Sequence, residues 1–315
     1  MSELPILNIE QWRAGTDTER RTIADELDSA LQEFGFLLIR DHGLDEDLAS
    51  RVRAEARRFF ALDDGTKDNY SSRVGGRGWI PPGAEANSYA SGVSAPPDMK
   101  ETYKIGMAAP GDPDITRPDR WPAEVPDLQH LVRAYLEGAW ALAMDMFTLF
   151  EQALGVPAGT FTLHASAAAS SFNINYYPSL RTTGPPAEGQ FRIGAHSDFG
   201  MLTILDRQTG YGALQIQTLA GEWIDAPDVS GALTVNIGDM LARWTGDRWR
   251  STVHRVLPPS DHDADEELLS LINFCGVRPD TTLNTLPVGG PTHYEPVRAG
   301  DYLRAKIDSI DMLAE

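Results

Sequence analysis

Gln190-Phe191-Arg192-Ile193-Gly194-Ala195-His196-Ser197-Asp198 opens the stretch on which the reading of this chain turns, and Ser251-Thr252-Val253-His254-Arg255 closes it. In an extended segment residues i and i+2 share a face. The imidazole of His196 and the carboxylate of Asp198 are therefore expected to point into one space. An apolar-rich run, Ala232-Leu233-Thr234-Val235-Asn236-Ile237-Gly238-Asp239-Met240-Leu241, precedes the second histidine. His254 can thus return on another strand and supply a third ligand. Two imidazoles and one carboxylate on one face of an ion leave the opposite face open, which is the non-haem Fe(II) arrangement. His196, Asp198 and His254 are the candidate metal ligands and catalytic residues. A His-x-Asp triplet alone is common by chance, and a histidine on an apolar strand is often only packed there. Zinc competes for such a site but favours cysteine or three-histidine sets, and the sole cysteine, Cys275, has no partner.

The 315 residues and 42% hydrophobic content suffice for a substantial core. No run of 18 apolar residues occurs, and Met1-Ser2-Glu3-Leu4-Pro5-Ile6 lacks the charged start and apolar core of a secretion signal. One cysteine excludes an internal disulfide and fits a reducing compartment. A soluble, cytoplasmic protein is expected. With 46 acidic against 27 basic side chains the net charge is -19, which repels a phosphate backbone and an anionic membrane surface alike. The expected partner is a small molecule, not nucleic acid or membrane.

Outward from the central stretch, Ile23, Leu27, Leu31 and Phe34 recur at close to helical spacing in residues 17–34. Phe34-Gly35-Phe36-Leu37-Leu38-Ile39 reads as a strand ended by the turn Asp41-His42-Gly43-Leu44, where His42 is a turn residue. Residues 45–60 form a second amphipathic pattern. A long one spans 127–154, from Leu128 through Phe150, with Gly155 as its stop and its stripe as core. Ser171-Phe172-Asn173-Ile174-Asn175-Tyr176-Tyr177-Pro178 alternates as a strand does, so Asn175 and Tyr177 share a face. The acidic run 261–267 is read as a solvated hairpin connection, and residues 299–313 as a terminal helix. Trp79, Tyr103 and Trp121 lie in segments that either line an entrance or simply pack.

The central stretch resembles the isopenicillin N synthase-like family of Fe(II)/2-oxoglutarate oxygenases. The resemblance runs through Gly194-Ala195-His196-Ser197-Asp198-Phe199-Gly200, Gly212-Ala213-Leu214-Gln215-Ile216-Gln217, Gly221-Glu222-Trp223-Ile224, Asn236-Ile237-Gly238-Asp239-Met240, Arg243-Trp244-Thr245 and Ser251-Thr252-Val253-His254. Further out, Asp98-Met99-Lys100-Glu101 is similar to the family's Asp-x-Lys-Glu segment, and Asn175-Tyr176-Tyr177-Pro178 to its Asn-x-Tyr-Pro motif. The resemblance implies a β-rich α+β fold, a double-stranded β-helix of the jelly-roll type with flanking helices. One oxygenase domain over 1–315 is expected, with a helical and loop part at 1–120, a bracing helix at 121–160, a metal-binding core at 170–280 and a cap at 281–315.

The resemblance also implies an oxidoreductase with Fe(II), 2-oxoglutarate and O2, which hydroxylates, desaturates or cyclises a small metabolite while 2-oxoglutarate is converted to succinate. One position departs from the family. An arginine normally precedes the serine aligned with Ser270 by two residues and grips the far carboxylate of 2-oxoglutarate; here Leu268 stands there, and no Lys or Arg lies between Arg255 and Arg278. Arg192, which shares strand parity with His196, is the first substitute, while Asn175, Tyr177 and Ser270 offer neutral hydrogen bonds. Arg255 faces away and is structural. Leu268 also motivates an oxidase that uses Fe(II) and O2 without 2-oxoglutarate, and a third reading is a non-catalytic jelly-roll binding module.

Overall fold

The computed structural model describes residues 4–72, 76–88, 95–107, 119–208, 210, 214–260 and 263–308. The chain opens with β1 (Ile6–Asn8), α1 (Ile9–Ala14) and α2 (Asp17–Glu33). The side chain of Thr16 accepts from the backbone of Glu19, whose carboxylate reaches back to Thr16, so α2 starts on a reciprocal cap. It stops at Gly35, which turns the chain at φ 65° into β2 (Phe36–Arg40). A side chain at Gly35 would run into the carbonyl oxygen of Arg250. The helix α3 (Glu46–Phe60) and short α4 (Asp64–Asp68) lead to β3 (Gly78–Ile80) and β4 (Glu101–Gly106). The long pattern at 127–154 is α5 (Asp127–Leu154), ended by Gly155 in the left-handed region. His42 accepts from the backbone N–H of Leu44 at 3.1 Å, as a turn residue does.

The β-rich part comprises β5 (Ala165–Tyr177), β6 (Ile193–His196), β7 (Leu202–Arg207), β8 (Leu214–Gln217), β9 (Trp223–Asp225), β10 (Leu233–Ile237), β11 (His254–Val256) and β12 (Leu268–Val277), with α6 (Leu180–Thr183) and α7 (Asp239–Trp244) between them. A small pair, β13 (Thr282–Leu283) and β14 (Val297–Arg298), precedes α8 (Ala299–Asp308). The expected terminal helix thus begins at Ala299, and residues 309–313 lie outside the described ones.

Among the described residues, eight strands form one sheet in the order β1-β2-β10-β7-β12-β5-β4-β3, and four form another in the order β6-β11-β8-β9. Period-two alternation sorts the large sheet's side chains. Leu37, Ile39, Tyr103, Ile105, Phe172, Ile174, Leu202, Ile204, Val235, Leu269 and Leu271 belong to the main core with the apolar stripes of α2, α3 and α5. The opposite face carries Phe36 and Leu38, which pack on Leu214 and Ile216 of the small sheet, and Tyr177 and Leu268, which pack on Ile193. The two sheets therefore meet along two apolar seams with a chamber between them, as in a jelly roll.

Trp79 and Tyr103 are 4% and 0% exposed, and both belong to the core that α3 and α5 cover, with Trp121 packed against it. Of the two readings open for these rings, packing is the one the structure takes. The acidic connection is only partly solvated. Asp265 is exposed and pairs with Arg181, but Glu266 turns inward to Arg192 at 3.1 Å. Asp261 and His262 lie outside the described residues.

Candidate active site

β6 and β11 are antiparallel neighbours, and His196 and His254 are register partners across them, with ring centroids 4.3 Å apart. The strand ends at His196, so Asp198 stands in the loop beyond it and not on the extended segment the sequence suggested. Its carboxylate nonetheless converges, because the loop is anchored from behind. Asp239 donates its backbone N–H to the carbonyl of Asp198 at 2.7 Å. Gly238 brings the chain so near that a Cβ there would meet the carbonyls of Gly200 and Asp198.

One ligand atom from each of His196, Asp198 and His254 lies within 4.8 Å of the others, and all three residues are buried. The backbone fixes both imidazoles in the same way. His196 Nδ1 bonds the carbonyl of Gly194 at 2.8 Å and His254 Nδ1 that of Thr252 at 3.1 Å. A carbonyl only accepts, so each Nδ1 carries the proton and each Nε2 keeps its lone pair for an ion. The Nε2 atoms lie 3.8 and 3.9 Å from Asp198 Oδ1. The other carboxylate oxygen, Oδ2, accepts from Thr203 Oγ1 at 2.6 Å and Asn236 Nδ2 at 2.7 Å.

Burial disfavours the charge on Asp198, but the two imidazoles, His254 foremost, and the donors Thr203 and Asn236 hold the carboxyl below its usual range. Burial, joined by the neighbouring His196, pushes His254 down to about 4. A neutral imidazole and an ionised carboxylate are the forms that bind a divalent metal without first losing a proton. The donor set, two Nε2 and one carboxylate oxygen on one side with the chamber on the other, fits an Fe(II) site.

The chamber has a volume of about 780 Å³. Its large-sheet wall is a set of inward rows. Tyr177 of β5 pairs in register with Leu268 of β12, and Asn175 with Ser270. Asn175 also pairs with Thr102 of β4, and Asn173 with Lys104. Thr102 donates to Asn175 Oδ1 at 2.9 Å, and Asn175 Nδ2 points to the Tyr177 hydroxyl at 3.5 Å. Burial raises the Tyr177 pKa although Asn175, Lys100, Arg192 and Ser270 all act to lower it.

Arg192 is 1% exposed and sits 5.5 Å over the Tyr177 ring. Its Nη1 pairs with Glu266, and its Nη2 donates to the Glu266 carbonyl at 3.3 Å. Leu268 packs against Tyr177 and Ile193. Arg255 lies outside the chamber wall, 4.0 Å over the Trp223 ring, and donates to Gln215. Cys275 is buried, which pushes its thiol up to about 12, and it is not in the ligand group.

The sequence reading assigned no role to Thr203, Asn236, Glu85, Lys100 or Lys104, all of which line the chamber. The strings around Asn236 and Lys100 carried the only signal, as pieces of the resemblance.

Two family descriptions match the chain: "non-haem dioxygenase in morphine synthesis N-terminal" over residues 4–127 and "2OG-Fe(II) oxygenase superfamily" over residues 168–275. A relative, validamycin A dioxygenase of Streptomyces hygroscopicus subsp. limoneus, is 35% identical over 99% of this chain and 87% of its own length. The chain belongs to the 2OG-Fe(II) oxygenase superfamily. A full-length Neurospora crassa protein, solved in complex with alpha-KG, superposes with a TM-score of 0.84 at 27% identity, covering 97% of this chain and 96% of that one. A putative 2OG-Fe(II) oxygenase of Caulobacter crescentus gives 0.83 at 26% identity, covering 98% and 99%.

This member of the superfamily is an Fe(II)- and 2-oxoglutarate-dependent oxidoreductase with O2 as co-substrate, built on a jelly-roll core. Membership in a 2-oxoglutarate family also weighs against the oxidase and binding-module readings. Among the described residues no helix is long and apolar enough to cross a membrane.

Proposed function

We propose that His196, Asp198 and His254 hold Fe(II), and that a polar small metabolite is hydroxylated, desaturated or cyclised in the chamber they face. The observation that carries the reading is the meeting of two Nε2 atoms and one carboxylate oxygen within 4.8 Å at the chamber wall. When bound, the iron and 2-oxoglutarate together supply the oxidising power for an unactivated C–H bond. The chain positions the reactants. The carbonyls of Gly194 and Thr252 keep both imidazoles in the metal-binding tautomer, while Thr203 and Asn236 aim the carboxylate.

Asn175, Tyr177 and Ser270 receive the far carboxylate of 2-oxoglutarate, with Arg192 next to them. The first three offer neutral hydrogen bonds, and Arg192 adds positive charge beside the Tyr177 ring. For the substrate, the chamber offers amide and charged side chains at Glu85, Asn87, Asn173 and Lys104, which suit a ligand rich in hydrogen-bonding groups. The relative named for validamycin A makes that compound the first to assay, and secondary metabolism the setting. A net charge of -19 speaks against nucleic-acid and anionic membrane partners, and a single cysteine fits the cytoplasm.

The test is turnover with Fe(II), 2-oxoglutarate, O2 and either validamycin A or a panel of polar metabolites. Succinate should form in step with an oxidised product, one oxygen atom heavier for hydroxylation or two hydrogen atoms lighter for desaturation or cyclisation. Unchanged turnover after replacing His196, Asp198 or His254 by alanine would overturn the assignment, as would no succinate under any of these conditions.

A further inference from the structure

The row that carries Leu268 where the family has arginine meets a cation two strands away. Leu268 and Tyr177 are register partners on β12 and β5. On the other side of β5, Glu101 of β4 pairs with Tyr176, so Lys100, one residue earlier, comes abreast of Tyr177. A carboxylate resting on the Tyr177 hydroxyl therefore has leucine on one flank and an ammonium on the other. Lys100 is 7% exposed and lines the chamber.

An ammonium has three hydrogens to donate. Lys100 Nζ gives one to Glu85 and one to Thr102 Oγ1 at 3.1 Å, and among the described residues it makes no third hydrogen bond. Asp98 is close enough to act on the charge, but its own oxygens take the backbone N–H of Gly194 and two donors of Asn87. Lys104, on the same inward face, makes no ion pair among the described residues, so Glu85 is the one carboxylate that acts on both ammonium groups. The corner has an open donor on a buried cation, and an incoming anion completes it.

We propose that Lys100, at the head of β4, is the ion-pairing partner of the far carboxylate of 2-oxoglutarate, the role the family's arginine has at the position of Leu268 on β12. Arg192 then stays with Glu266 and acts on Tyr177. This rests on the reading that the chamber binds 2-oxoglutarate at Asn175, Tyr177 and Ser270, and the test separates the two. The whole protein is loaded anaerobically with Fe(II) and titrated with 2-oxoglutarate and with 2-oxopentanoate, which has the same head but a methyl in place of the far carboxylate. The readout is the visible charge-transfer band of the bound 2-oxo acid, so no turnover is needed.

The wild type should prefer 2-oxoglutarate by about a hundredfold, the worth of a desolvated charge pair of roughly 3 kcal/mol. In Lys100→Met the preference should collapse to within about threefold while 2-oxopentanoate binding holds, and Lys100→Arg should restore most of it. Because Lys100→Met strands Glu85, the double variant Lys100→Met/Glu85→Gln repeats the measurement with that carboxylate neutralised. A preference that survives in both Met variants and disappears in Arg192→Met overturns the proposal and leaves the 2-oxoglutarate reading intact. A wild type that binds both acids equally also overturns the proposal alone, whereas no band with either acid overturns both.

Discussion

Asp198 presents one oxygen to the metal position only because its other oxygen is held, and removing either holder should be measurable as lost metal affinity. Thr203 Oγ1 and Asn236 Nδ2 donate to Oδ2 at 2.6 and 2.7 Å in a buried setting. A hydrogen bond to a charged group contributes about 1.5–3 kcal/mol. At about 1.4 kcal/mol per factor of ten, each bond converts to roughly 10-fold to 100-fold in the dissociation constant, provided its loss falls on the ligand's orientation and ionisation. Thr203→Val keeps the side chain's shape and removes only the hydroxyl, so about tenfold is expected, at the low end. Asn236→Ala also opens a gap beside the carboxylate, so about a hundredfold is expected.

Both bonds end on one atom, so the double variant should lose less than the sum of the singles. Anaerobic titration with Co(II), whose visible bands report the ligand field, gives the affinities, and urea unfolding of the metal-free proteins checks that the fold survives. The backbone ladder of β10 with β2 and β7 does not depend on the Asn236 side chain. Unchanged metal affinity in both folded single variants would refute the claim that this pair prepares the ligand.

Gly35→Ala forces a left-handed backbone onto a residue whose Cβ collides with Arg250 and Thr252. It should cost about 2–3 kcal/mol in urea unfolding, and should also weaken metal binding because the Thr252 carbonyl holds His254. Glu151 accepts from Gly159 N at 3.0 Å, Phe161 N at 2.7 Å and Thr162 N at 2.8 Å. Glu151→Gln keeps an oxygen for Phe161 and Thr162 but sets an amide donor against the Gly159 N–H and removes the charge, so roughly 3 kcal/mol of stability should be lost, read as a lower thermal midpoint with Fe(II) affinity unchanged. Leu268→Arg drives a guanidinium into the seam of Tyr177 and Ile193 and should cost about 1–3 kcal/mol of stability. With Lys100 already in place, its gain in 2-oxoglutarate affinity should stay under about tenfold.

Periodicity located the helices because helical contacts are local: Asp127–Leu154 is the span its own apolar stripe and Gly155 mark out. The strand read at 171–178 was legible through alternation, as was the shared face of Asn175 and Tyr177, but β5 starts six residues earlier, at Ala165, and ends at Tyr177. The metal triad was legible as chemistry, but the pairing of His254 with His196 was not, since register depends on two strands far apart in the chain. The strand's end before Asp198 escaped because the loop's course is set by Gly238 and the Asp239 amide. Lys100 was hidden more deeply. Arg192 could be suggested from parity with His196 alone, whereas Lys100 becomes relevant only once β4 lies beside β5.

The seating of β2 between β1 and β10 bears on how the molecule comes into being. Ile39 pairs in register with Leu233, and β12, late in the chain, inserts between β5 and β7, so the decisive pairings join segments remote in synthesis order. A nascent chain halted before His254 would hold β2 and β7 without the completed barrel, with open sheet edges and an incomplete ligand set. Iron capture is thus a late event, available only after the chain through β11 has emerged and His254 has paired with His196.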